Sequence, residues 1–262
     1  MAEQQIRFDD GAAYERMMGV WSRLAGDIFL DWLAPRSGLR WIDIGCGTGA
    51  LTELLVERCA PAEVQGIDPS EAQLAFARTR PAARVAKFSQ GDAMALPFPD
   101  DRFDAAIMAL VIFFVPDPAK GVAEMVRVVG PGGSVAAYAW DVLGGGHPGG
   151  PIQAEMRTMG LTPLLPPSAG ASRIETLREL WTGAGLEAVE TREIAVHRNF
   201  TDFDEFWTLN LMSPNIGPII APLAPGDAEQ LKAGVRARLP ADEAGRITYA
   251  GRANAVKGRV PT

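Results

Sequence analysis

Three closely spaced glycines and an acid at the end of the following strand are the residues of this sequence best suited to hold a ligand. Gly45, Gly47 and Gly49 stand in the run Gly45-Cys-Gly-Thr-Gly49, between the apolar stretch Arg40-Trp-Ile-Asp-Ile44 and the helical spacing of Leu51, Leu54 and Leu55. Gly45 and Gly47 let the backbone turn tightly after a strand and approach a ligand without side-chain collision, and Gly49 relieves crowding as a helix begins. The free N–H groups at such a helix start attract an anion, phosphate or carboxylate alike. Asp68 closes the next apolar run, Val64-Gln-Gly-Ile67, where its carboxylate can accept the hydrogens of two ribose hydroxyls. Gly45-x-Gly47-x-x-Ala50 also fits the dinucleotide pattern, so on these residues alone an NAD-dependent oxidoreductase stays open.

The elements that must position these residues follow from periodicity. Tyr14, Met18, Trp21 and Leu24 share one side of a helix predicted over 11–34, placed either to close a site or to pack on a sheet. Strands are expected at 40–44, 64–67, 84–88, 103–110 and from the Pro131-Gly-Gly133 turn through Trp140, with helices after Gly49, after Ser70 and over 119–129. This strand–helix succession requires a mostly parallel sheet covered on both faces, because its apolar strands can leave neither face exposed. A helix over 174–185 leads to a strand over 188–200. Helical segments at 203–211 and 227–239 then intervene before a last strand over 247–257. Inserted between strands, those segments are candidate lid helices.

Composition narrows the partners. With 262 residues, 47% hydrophobic and 22% charged, the chain can build either one enlarged α/β domain or a domain carrying a small helical addition. A net charge of −7 argues against a phosphate-binding surface, and so against nucleic acid. Cys46 and Cys59 form no metal-ligand spacing, and neither do the two histidines, so no metal is expected. Without a signal segment or a long apolar run, the expected setting is cytoplasmic and away from membranes.

Further signatures extend the glycine loop. Trp41-Ile-Asp-Ile-Gly-Cys-Gly-Thr-Gly49 resembles the first motif of class I methyltransferases, and Gly66-Ile-Asp-Pro-Ser70 resembles their ribose-reaching segment. Gln90-Gly-Asp-Ala93, Leu96-Pro-Phe-Pro-Asp-Asp-Arg-Phe-Asp104 and Glu124-Met-Val-Arg-Val-Val-Gly-Pro-Gly-Gly133 match their later signatures, and the likeness is to the methyltransferase type 11 family. It implies a three-layer Rossmann-like α/β fold with a seven-stranded, mostly parallel sheet, an antiparallel terminal strand and a small helical lid. It implies one domain over 1–262, with an N-terminal cap at 1–38, a cofactor core at 39–141, a wall at 142–186, and final strands over 187–262 carrying the lid at about 199–240. The reaction implied is transfer of a methyl group from S-adenosylmethionine to a small metabolite, leaving S-adenosylhomocysteine. A catalytically inactive cofactor-binding regulator is the other class of protein the pattern admits.

The resemblance also assigns residues. Around the cofactor it places Tyr14, Asp43, Gly45, Cys46, Gly47, Asp68, Pro69, Asp92, Ala93 and Ala109. Gly45 and Gly47 line the methionine end, Asp68 the ribose, Asp92 and Ala93 the adenine. Asp43 reaches the α-amino group or, alternatively, fixes the loop. Trp21, Trp140 and Trp207 are candidate walls of the acceptor pocket. Tyr14, Asp141, His147 and His197 are the candidate proton-transfer groups, although no spacing pairs any of them with a partner.

Overall fold

A computed structural model describes residues 11–262, so the first ten residues of the expected N-terminal cap lie outside the described residues. The chain opens with α1 (Gly11–Tyr14), a π-helical turn (Glu15–Gly19) and α2 (Val20–Leu33). The periodicity predicts one uninterrupted helix here, and the π turn has an identifiable cause. Glu15 folds back over Gly19, where a Cβ would lie 2.5 Å from its Oε1, and the Arg198 guanidinium donates to the Met17 carbonyl at 3.1 Å. That external donor satisfies a carbonyl within the turn.

The expected α/β succession follows: β1 (Arg40–Ile44), α3 (Ala50–Cys59), β2 (Glu63–Asp68), α4 (Glu71–Ala77), β3 (Ala86–Gln90), β4 (Phe103–Ala109), α5 (Pro118–Val128) and β5 (Val129–Trp140). Ser70 caps α4 by accepting the Gln73 N–H, and Asp117 caps α5 by accepting from Lys120, ahead of Pro118 in the first turn. β3 begins two residues later than its apolar pattern predicts because Pro81–Arg84 closes a 3₁₀ turn first. Pro131-Gly-Gly133, read from sequence as a turn, instead lies in a bulge within β5: pairing passes from Phe103–Val129 directly to Ala105–Ser134.

The wall consists of α6 (Gly150–Thr158) and α7 (Ile174–Gly183), followed by β6 (Glu187–Phe200). An insert of α8 (Phe203–Leu211), α9 (Gly217–Ile220) and α10 (Pro225–Arg238) precedes β7 (Ile247–Arg259). The seven strands form one sheet in the order β3-β2-β1-β4-β5-β7-β6, and β7 alone runs antiparallel to its neighbours. Trp41, Ile42, Phe103, Ile107 and Val135 are buried within it, and Trp181 of α7 packs onto it, its indole donating to the Val135 carbonyl at 2.9 Å. β1 lies between β2 and β4, the point at which strand order reverses. In open α/β sheets that reversal leaves a crevice beyond the strands' carboxyl ends, where ligands bind. The glycine run emerges there.

Candidate functional site

The crevice is built from backbone. Gly45 adopts φ +71°, and a Cβ there would lie 2.4 Å from the Val111 side chain, so only glycine fits. The Gly45 and Cys46 amides both donate to the Ile67 carbonyl, at 2.6 and 3.0 Å, tying the turn to the end of β2. Gly47 adopts φ +53°, and a built Cβ there would meet Gln73 Oε1 at an ordinary contact distance of 3.7 Å. Its N–H donates to Asp68 Oδ2 at 2.9 Å, while the Ser70 N–H donates to Oδ1 at 2.8 Å. Burial raises the Asp68 carboxyl and these two amides pull it back. Each oxygen retains a lone pair for a further donor.

Asp43 lies below the turn, fully buried at the end of β1. Its Oδ2 accepts from the Thr52 hydroxyl at 2.6 Å, whereas Oδ1 has no hydrogen-bond partner. Burial pushes its carboxyl up to about 7, opposed by Thr52. A buried orphan oxygen is costly unless a donor reaches it. The two acids beside the glycine turn therefore fit a ligand that brings an ammonium group and ribose hydroxyls, as S-adenosylmethionine does.

Next to this crevice lies a pocket open to solvent. Tyr14 joins the two: it lines the cavity and feels the charge of Asp68. Burial, set against a hydrogen bond with Ser22, pushes the Tyr14 phenol up to about 12, so at neutral pH it is a protonated donor. Met17, Met18, Phe113, Phe114 and Trp140 form apolar walls, and Leu164 to Pro166 stand at the same cavity with Leu165 exposed. His147, Gln153, Ser213 and Asn215 supply the remaining polar lining. Leu110, also at the wall, holds φ +62°, a costly conformation for a non-glycine that recurs at functional sites.

The other candidates are distributed unevenly. Asp92 is exposed and closes a tight turn by accepting the Met94 N–H at 2.8 Å; Ala93 and Ala109 are half-buried and Pro69 is exposed. Cys46 is buried, and burial raises its thiol well above the ordinary value, so it stays protonated. Trp140 lines the cavity, whereas Trp21 packs edge-on against it at 6.1 Å and Trp207 stacks on Phe203 at 6.1 Å, both outside the lining. Asp141 pairs with Arg252 at 2.5 Å and accepts the Gly144 N–H at 2.9 Å, outside the cavity. His197 is exposed on β6, paired in register with Ala250. His147 is buried at the cavity, its Nδ1 accepting the Gly149 N–H at 3.0 Å, and burial lowers it to about 4.

Sequence reading missed Phe113, Gln153, Ser213 and Asn215, which no periodic signal brings together. It also missed Arg80, which donates to the Thr48 carbonyl at 2.6 Å and pairs with Glu15 at 2.5 Å and Glu53 at 2.6 Å. That network ties the N-terminal π turn to the glycine loop.

Sheet order, glycine turn and paired acids define the class I methyltransferase architecture. A family model described as a methyltransferase domain matches residues 42–137. The demethylmenaquinone methyltransferase of Thermus thermophilus is 42% identical over 115 residues, which are 43% of this chain and 50% of that protein. The 2-phytyl-1,4-naphtoquinone methyltransferase of Synechococcus elongatus is 33% identical over 174 residues, 64% of this chain and 70% of that protein. The chain belongs to the class I S-adenosylmethionine-dependent methyltransferases of the methyltransferase type 11 family. That membership sets aside the oxidoreductase alternative. The match spans about half the length of the Thermus relative and of several other quinone methyltransferases. Among solved structures, the Haemonchus contortus phosphoethanolamine N-methyltransferase 2 in complex with S-adenosyl-L-methionine shares the fold at TM-score 0.58 and 20% identity, covering 96% of this chain and 56% of that one. The [4+2]-cyclase SpnF shares it at TM-score 0.54 and 20% identity, covering 100% of this chain and 89% of that one.

Proposed function

We propose that this chain transfers the methyl group of S-adenosylmethionine to a small, largely apolar metabolite held in the cavity beside Tyr14. The observation that carries the reading is the orphan Asp43 oxygen beneath the Gly45–Gly49 turn, with Asp68 across it. Bound there, the cofactor would supply an electrophilic methyl group. Asp43 would hold its ammonium, Asp68 its ribose hydroxyls, and Tyr14 would separate the cofactor from the acceptor. The chain's contribution to rate is then orientation, which can replace on the order of 7 kcal/mol of the cost of bringing reactants together. The quinone-directed names of the relatives make demethylated quinols the first acceptors to try.

The insert at about 199–240 and the wall at 142–186 are proposed to enclose the acceptor, and the insert to act as a movable cover. Ser213 and Asn215 come from the insert, and His147 and Gln153 from the wall. Titration with S-adenosylhomocysteine tests the first half of this reading. Asp68→Ala is expected to keep its circular dichroism spectrum and to lose roughly tenfold or more in affinity, the worth of a charge-assisted hydrogen bond of about 1.5–3 kcal/mol. Unchanged affinity in a folded variant removes the ribose contact. A quinol screen with mass detection of S-adenosylhomocysteine and methylated product tests the second half. Cofactor binding with no turnover on any acceptor would point to the regulatory class instead.

A further inference from the structure

The stripe of Tyr14, Met18 and Trp21 divides at the π turn over Glu15–Gly19. A π turn carries one residue more than an α turn, which rotates whatever precedes it by roughly 100° against the α-helical face. Tyr14, Met17 and Met18 line the cavity, while Trp21 lies outside the lining, 6.1 Å from Trp140 and 6.3 Å from Phe200. The turn is held from two directions. On the side of β6, the Arg198 guanidinium donates to the Met17 carbonyl at 3.1 Å and lies over the Phe200 ring at 4.8 Å. Arg198 is buried and makes no ion pair among the described residues, a costly place for a cation, and the Met17 carbonyl is the acceptor it meets there.

On the side of the crevice, Glu15 Oε2 accepts the Thr48 hydroxyl at 3.0 Å and lies 2.5 Å from Arg80 Nη2. Thr48 stands between Gly47, whose amide donates to Asp68, and Gly49 at the start of α3. Gly19 makes room for this contact. Its backbone is ordinary right-handed helix, φ −55° and ψ −45°, so conformation does not call for glycine, and glycine is a poor helix former. The three atoms nearest a Cβ built there all belong to the Glu15 carboxylate: Oε1 at 2.5 Å, Cδ at 2.6 Å and Oε2 at 3.0 Å. Gly19→Ala would therefore push that carboxylate away from its place beside Thr48 and Arg80.

Resting on the reading of the crevice as cofactor site and the cavity as acceptor site, we propose that Glu15 is a positioning residue that couples the two. Held by Thr48 and Arg80, it sets the π turn that presents Tyr14, Met17 and Met18 to the cavity, with Arg198 as the fixed point on the far side. A ligand seated against the glycine loop orders Thr48, and through Glu15 it orders the turn. An occupant of the cavity then no longer bears that ordering cost, so the two ligands bind cooperatively. Coupling of this kind is reciprocal: each ligand raises the other's affinity by the same factor.

The test measures S-adenosylhomocysteine and naphthalene, an apolar ring probe for the cavity, each with and without the other, by calorimetry or ligand fluorescence. In the native protein each is expected to bind about fivefold or more tightly in the presence of the other. Gly19→Ala should bring that factor below about twofold without lowering the unfolding midpoint, because alanine is the better helix former. Arg198→Met should weaken naphthalene with and without S-adenosylhomocysteine, and Arg198→Lys, which can still donate to the Met17 carbonyl, should recover part of the loss. Hydrogen exchange supplies a readout that needs no ring probe: S-adenosylhomocysteine alone should slow exchange across 14–21 in the native protein and not in Gly19→Ala. A native protein that binds both ligands independently overturns the proposal. So does a folded Gly19→Ala that keeps the full coupling factor, or one that weakens both ligands while leaving the factor intact, as a merely structural role would. Absence of saturable S-adenosylhomocysteine binding removes the cofactor reading and the proposal together, whereas binding without coupling removes the proposal alone.

Discussion

The cofactor crevice and the acceptor cavity share Tyr14 but are assembled differently. The crevice is a set of contiguous pieces, each a strand running into a turn and a helix: Asp43 and Gly45–Gly49 after β1, Asp68 and Ser70 after β2. The ligand contacts it offers are backbone amides and carboxylates at strand ends. The cavity gathers single side chains from the π turn, the end of β4, the end of β5, the wall and the insert. A crevice made of backbone tolerates little change in its own residues, while a cavity made of side chains can be re-lined.

The largest expected effect probes the rigid side. Gly45→Ala places a Cβ 2.4 Å from Val111 at φ +71°. Backbone strain of about 1–3 kcal/mol adds to overpacking of similar size. Denaturant unfolding should show a loss of several kcal/mol or, where the chain still folds, S-adenosylhomocysteine affinity should fall by about tenfold or more. Adding Val111→Ala should recover the packing part but not the strain. Leu165→Ala, at the exposed mouth, should move stability by no more than about 0.5 kcal/mol. Equal effects at Gly45 and Leu165 would erase the distinction between the two regions.

The same distinction explains what was legible in the sequence. β1, the glycine turn and Asp68 could be read because a tight turn at a sheet's switch point demands particular residues in a short, fixed order, and the seven-stranded sheet with one antiparallel strand followed from the family likeness those motifs carry. Phe113, Gln153, Ser213 and Asn215 could not be read, because their meeting depends on how α6 and the insert dock rather than on local spacing. Trp21 illustrates the ambiguity from the other direction: its helical stripe with Tyr14 and Met18 was visible, but not that Tyr14 and Met18 would line the cavity while Trp21 packs among Trp140, Phe200 and Tyr249. The π turn was invisible because its cause, Arg198 on β6, lies far along the chain.

The two regions should also respond to pH with opposite signs. Asp43 is raised to about 7 from the roughly 3.9 of a free carboxyl, so between those values the folded state holds more protons and stability falls as pH rises. His147 is lowered to about 4 from the roughly 6.5 of a free imidazole. Between those values the unfolded state holds more protons, so its contribution is complete above about 6.5 and is lost as pH falls toward 4. Unfolding free energies measured from pH 4 to 8 should therefore change slope in opposite directions in Asp43→Asn and His147→Gln. Asp43→Asn should also flatten the pH dependence of S-adenosylhomocysteine affinity, which His147→Gln leaves in place. Identical slopes in the two variants would mean that neither group titrates as its burial dictates.

The smallest effect concerns how the insert is held. α10 meets α6 through Arg238, whose Nε lies 2.8 Å from Glu155 and whose Nη2 donates to Thr158 at 3.2 Å, and it carries Leu231 and Val235, which are fully buried. The ion pair is partly exposed, and such pairs contribute about 0.2–1 kcal/mol. Removing a buried leucine side chain costs about 2–5 kcal/mol. Arg238→Ala should thus barely move the unfolding midpoint, yet loosen the α10–α6 contact enough to speed amide exchange across 225–238 in the free protein. If the insert is a cover, filling the site with S-adenosylhomocysteine and a bound ring should restore protection there, because Ser213 and Asn215 then gain contacts that only the closed arrangement supplies. Exchange across 203–238 that is the same with and without the bound pair, in both the native protein and Arg238→Ala, would mean that apolar packing alone fixes the insert as a static wall.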